Sequence, residues 1–136
     1  MTNLKNKSEL NLEAANKLHE LSYYPSVIHC AYYACFQLAK YKLLTACGLS
    51  EAELMPQRKP AGTPAPEGSH ERLISQTVQQ LRLVGKDSAT KFNQLMMELK
   101  KMRHESDYSD AIIDFNKSRN ALNKSSELIA VIRKLN

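Results

Sequence analysis

Apolar side chains recur every three or four residues in five segments of this chain, and they alternate with period two over no useful length. That pattern predicts amphipathic helices and argues against sheet. Ser8 opens the first segment, where Leu10, Ala14, Leu18 and Leu21 make one stripe between Glu9, Glu13, Lys17 and Glu20. Tyr24-Pro25 ends or bends it, because the residue before proline disfavours α geometry. Pro25 then begins a second helix, where its missing N–H is harmless, and the pattern carries that helix to about Cys47 with Gly48 as its stop. Between Pro25 and Cys47 the charges are Lys40 and Lys42, and Val27, Ile28, Ala31, Tyr32, Tyr33, Phe36, Leu38, Leu43 and Leu44 cover most of the circumference. A helix apolar on nearly all sides belongs in the middle of a bundle, in a subunit interface, or in both.

The pattern lapses over residues 48–68, which hold Pro56, Pro60, Pro64 and Pro66 with Gly48, Gly62 and Gly68. Ser50–Leu54 has room for one short turn; the rest predicts a long loop, most mobile over 55–67. Ser69 is placed to cap a third helix running to about Val84 and stopped by Gly85, with Leu73, Ile74, Val78, Leu81 and Val84 as its stripe. Asp87 or Ser88 is placed to cap a fourth, with Phe92, Leu95, Met96, Leu99 and Met102 buried and Arg103 at its far end. Asp107–Ile113 reads as a turn, and Asp114 caps a last helix with Phe115, Leu122, Ile129 and Ile132 at helical intervals. The expected fold is all-α, a single domain over 1–136 built as a bundle of four to five helices broken by one long Pro/Gly-rich loop.

Composition narrows this little. The 136 residues suit one domain, and a 43% hydrophobic share is enough for a core without metal or disulfides. Three cysteines, Cys30, Cys35 and Cys47, form no CxxC pair and read as small buried hydrophobes in a reducing compartment. No apolar run approaches the roughly 18 residues of a membrane span, and the first ten residues resemble no signal sequence, so the expectation is a cytoplasmic protein without membrane contact. A net charge of +5 nudges towards an anionic partner such as nucleic acid.

Candidate chemistry is sparse. There is no Gly-rich phosphate loop, HExxH or EF-hand pattern, and His19, His29, His70 and His104 pair with no other His or Cys at a ligand spacing, so neither metal nor cofactor is expected. Arg103 and Asp107 stand i,i+4, the spacing of an ordinary helix ion pair. Tyr108 would ordinarily anchor a turn with its ring buried. Tyr32 and Tyr33 point to different sides of one helix, so at least one belongs to the core, and Tyr33 with Phe36 is a packing pair. His70, in the first turn of the third helix, reads as an exposed or capping residue or as a phosphate contact at a helix N-terminus.

Three segments, HCAYYACFQLAKYKLL (29–44), GSHERLISQTV (68–78) and LKKMRHESDY (99–108), stand in an order and at separations that resemble the HEPN domain family. The likeness is to its small stand-alone branch, in which a YYA-containing helix precedes an R-x-x-A-D-Y ending, and it covers most of 10–135. It implies a helical bundle, often a symmetric homodimer, that binds or acts on RNA or nucleotides and is commonly one half of a toxin–antitoxin pair with a minimal nucleotidyltransferase. Catalytic members carry R-x4-6-H and cut RNA without metal. The resemblance makes Arg103 and Tyr108 the catalytic candidates, and Arg103, Asp107, Tyr108, Tyr33 and His70 the ligand-binding ones.

At the motif itself the chain departs from the family. Tyr108 stands where the shortest form of the motif has histidine, His104 directly follows Arg103, and Cys30 occupies a position that is often basic in this branch. Metal-free cleavage is helped by a group that exchanges protons near neutrality, and a phenol titrating at about 10 is poorly suited. The sequence therefore predicts an RNA- or nucleotide-binding module without efficient nuclease activity. A metal-independent ribonuclease with an Arg/Tyr site, and a helical scaffold with no nucleic-acid role, stand as alternatives.

Overall fold

The computed structural model describes residues 2–56 and 68–136. Their elements are α1 (Thr2–Glu20), α2 (Tyr24–Leu44), a single 3-10 turn (Ala52–Leu54), α3 (Ser69–Val84), α4 (Lys86–Tyr108) and α5 (Phe115–Ile132), with no strand among them. The all-helical fold is as the periodicity predicts. The mobility expected for 55–67, and most of the long loop, falls on 57–67, outside the described residues.

α2 is the axis of the bundle, with α1, α3, α4 and α5 all packed on it. Val27, Ile28, Ala31, Tyr32, Cys35 and Ala39 are almost wholly buried along its length. Removing each large side chain of this kind from water contributes about 1.5–3 kcal/mol. α2 needs no second subunit to cover it, since its own chain does so.

α1 folds back on α2 through a short turn in which Ser22 takes a left-handed conformation (φ 67°). The buried face of α1 is not the expected Leu10–Leu21 stripe: both of those leucines are more than 60% exposed. Ser8, Ala15 and His19 face inward instead, with Leu4 and Leu12 packed beside them. Small size and satisfied polarity explain the exchange. Ala15 fits against Val27 and Ala31, and the Ser8 hydroxyl donates to the Ala34 carbonyl at 2.6 Å.

Several ends shift. α1 starts at Thr2 rather than Ser8. α2 stops at Leu44, where the Thr45 hydroxyl donates to the Tyr41 carbonyl (2.7 Å) and Gly48 supplies the left-handed residue (φ 70°) that lets Leu49 N donate to Leu43 O. Gly68, not Ser69, precedes the first residue of α3, and its N–H donates to the Glu71 carboxylate at 3.4 Å. Gly85 serves both α3 and α4, which leaves Asp87 and Ser88 inside the first turn of α4 rather than capping it. Asp114 does cap α5, accepting from Lys117 N at 2.9 Å. Val84 and Phe115 are about half exposed, so neither belongs to the core stripe assigned to it. Of the cysteines Cys35 alone is buried; Cys30 and Cys47 are half-buried.

The change that matters most for function is at the end of α4. The expected turn over 107–113 begins later, because the helix continues through Tyr108. Its buried stripe runs Phe92, the pair Leu95 and Met96, Leu99 and then Arg103, in steps of three or four residues. The guanidinium thus takes the next core position in register. The last turn is held to α2 by the Ser106 hydroxyl, which donates to the Pro25 carbonyl at 3.0 Å.

Candidate functional site

Arg103 is 92% removed from solvent, with a relative exposure of 8%. Its neighbours are mostly aromatic: Cζ lies 5.1 Å from the centre of the Tyr32 ring, 5.6 Å from that of Tyr33 and 6.0 Å from that of Tyr108. Ring faces attract a cation, and this attraction offsets part of the loss of hydration. The acceptor offered by the described residues is Asp107, with Oδ2 at 3.5 Å from Nη1, an ion pair but too long for a strong hydrogen bond. Arg103 Nε finds no acceptor among them. A nearly buried guanidinium whose Nε has no acceptor among the described residues is set up to receive a planar or tetrahedral anion.

α2 presents His29, Tyr32, Tyr33 and Phe36 at i, i+3, i+4 and i+7, which puts them on one face towards α3 and α4. The Tyr32 hydroxyl and His70 Nδ1, from the first turn of α3, are 2.7 Å apart. The His70 ring also lies against Phe36, with centroids 4.4 Å apart and the planes tilted by 32°. Burial, opposed by the nearby Arg103 charge, holds the Tyr32 phenol well above its ordinary range, so it stays a neutral hydroxyl. Burial likewise lowers the His70 imidazole, and the charges of Arg103 and Lys100 lower it further. His70 is thus a half-buried, uncharged partner of Tyr32, neither an exposed residue nor a cap.

On the other side of Arg103, Asp107 Oδ2 also accepts from His29 Nδ1 at 2.9 Å. One carboxylate oxygen therefore joins α2's imidazole to α4's guanidinium. The His29 ring rests against Tyr33, with centroids 4.8 Å apart. Beyond this pair the outer face of α4 carries an open groove of about 680 Å³ lined by Met97, Lys100, Lys101, His104 and Glu105.

The residues singled out from sequence, Arg103, Asp107, Tyr108, Tyr33 and His70, lie in one neighbourhood. Tyr108 takes a different place from the one expected of a turn anchor: its ring is 70% exposed at the rim, 4.9 Å from the His104 ring. Sequence reasoning passed over His29, although its register with Tyr32, Tyr33 and Phe36 was visible. Among the described residues no group of three or more His, Cys, Asp or Glu side chains could hold a metal ion. Comparisons with family models, curated proteins and solved structures find no match to this chain.

Proposed function

We propose that this chain is a HEPN-type module that binds RNA or nucleotides through Arg103. The observation that carries the reading is the nearly buried Arg103 guanidinium, walled by Tyr32, Tyr33 and Tyr108 and without an acceptor at Nε among the described residues. Arginine beside aromatic faces suits a ligand with both a phosphate and a flat base, since the fork takes the phosphate and the rings stack on the base. Lys100, Lys101 and the overall charge of +5 favour the approach of such an anion. The family likeness of the YYA, SHERL and RHESDY segments points the same way.

By the same likeness the module works as a homodimer beside a minimal nucleotidyltransferase, as one half of a toxin–antitoxin pair. The surface open to a second copy is at the end of the bundle, where Leu21, Tyr23, Tyr108 and Ile112 are all more than half exposed.

The test is a titration of labelled single-stranded RNA across a salt series. Binding should weaken with salt, and Arg103→Met, which keeps the packing of the stem, should weaken it and flatten the slope of log K against log salt by about one phosphate contact. Equal affinity and slope in the variant would leave Arg103 a structural ion-pair residue.

A further inference from the structure

α3 and α4 form a helical hairpin about Gly85, and two hollows, of about 440 and 360 Å³, run along its outer seam. The two share Val78, Arg82 and Asn93, and Met97 joins the second to the groove that holds Lys101. On α4 the lining falls at Lys86, Thr90, Asn93, Met97 and Lys101, steps of three or four residues that keep to one face. From Lys86 to Lys101 that face is about 22 Å long. The middle of the groove is apolar: Ile74 and Ala89 are buried in its floor, Val78 is half-buried, and Met97 is 47% exposed. Its ends are cationic. Arg82 and Lys86 at one end, and Lys101 at the other, form no ion pair among the described residues.

We propose that the α3–α4 groove is the docking site for an acidic amphipathic helix of a different protein. Its apolar stripe lies over Val78 and Met97, and its carboxylates reach Arg82 and Lys86 at one end and Lys101 at the other. Charge and lining select this occupant. A second copy of the chain, with its own net charge of +5, would set the same cations against these across a two-fold axis. A nucleic-acid strand would match the charge, but no aromatic ring lines either hollow to stack on its bases. Ile74, Val78 and Ala89 suit aliphatic side chains instead, and the Met97 thioether adapts to their shape. A guest helix of about 15 residues matches the length of the face. The inference does not depend on the reading of Arg103, because Arg82 and Lys86 lie at the opposite end of α4 from it.

The experiment follows the backbone amide signals of the isotope-labelled whole chain by NMR during a peptide titration. The probe is a synthetic helix of about 15 residues, with leucine at helical spacing along one face and glutamate in its first and last turns. It should bind one to one with a Kd below about 1 mM, moving the signals of α3 and α4 that border the groove, and salt should weaken it. Met97→Glu, at a side chain already half exposed, should weaken binding at least about 10-fold. Arg82→Glu combined with Lys86→Glu should do the same. That variant should recover affinity for one of the two peptides in which a single end turn carries lysine instead of glutamate, which also fixes the direction of the guest helix. Circular dichroism of both variants checks that the fold is kept. No saturation up to about 1 mM, shifts outside the groove, or affinity unchanged in both variants overturns the proposal. So do groove shifts produced by single-stranded RNA, or by raising the protein's own concentration, where the peptide produces none. RNA binding lost in Arg103→Met bears on the other site alone.

Discussion

The Tyr32 hydroxyl and His70 Nδ1 meet at 2.7 Å across 38 residues of sequence, and the two ring planes are within 3° of parallel. This bond ties α3 to the axis of the bundle at the buried end of the site. Tyr32→Phe keeps the ring and removes the hydroxyl, so it isolates the bond. It should lower stability by about 1 kcal/mol, read as a shift in the urea midpoint with the slope unchanged. No loss would mean that His70 and Tyr32 gain nothing from each other.

The same pair makes stability depend on pH. Free in an unfolded chain, His70 titrates at about 6.5. In the folded protein burial, then Arg103 and Lys100, move it lower. Between the two values the unfolded chain binds more protons, so stability falls as pH drops below about 6.5 and through the folded value; above 6.5 both states are neutral and the effect is absent. His70→Gln still offers Tyr32 an acceptor but does not titrate. Its melting temperature should fall less than that of the wild type between about pH 7.5 and about pH 5. Equal losses would place the acid sensitivity elsewhere.

Thiol labelling should separate the cysteines. Cys35 is fully buried beside Ser125, and burial pushes its thiol up to about 12. Cys30 and Cys47 are raised less and remain partly open. Since the thiolate is the reacting species, a maleimide should modify those two in the native protein and Cys35 only on unfolding. Equal rates for all three would contradict the packing of α2 on α5.

The bundle end supplies the test of self-association. Sedimentation at micromolar concentration should give about twice the 15.4 kDa chain mass. Ile112→Glu, at a side chain 83% exposed in the connection between α4 and α5, should return the protein to monomer without loss of helix. A wild type that is already monomeric removes the dimer from the proposal.

The helices were legible because four of the five bury stripes of large apolar side chains. α1 misled for a physical reason: it buries Ser8, Ala15 and His19, two of them polar, and a count of leucines points to the wrong face. The end of α4 misled because Asp107 and Tyr108 look like turn residues, whereas hydrogen bonds to α2 at Ser106 and Asp107 carry the helix past them. Arg103 could be placed from its register with Phe92, Met96 and Leu99. That it is short of acceptors could not, since this depends on how far Asp107 leans towards His29, a contact spanning 78 residues.

Twenty-one residues of α2 serve as both the axis of the core and one wall of the site. Turning this helix enough to re-aim Tyr33 would draw Tyr32 out of the interior and pull Cys35 away from Ser125. The backbone under the site is therefore closed to gradual adjustment. Among descendants of such a chain, new ligand preferences would arise by exchange of side chains on the outer face of α4, at Lys101, His104 and Tyr108, where a substitution alters what the site meets while the fold beneath it is left alone.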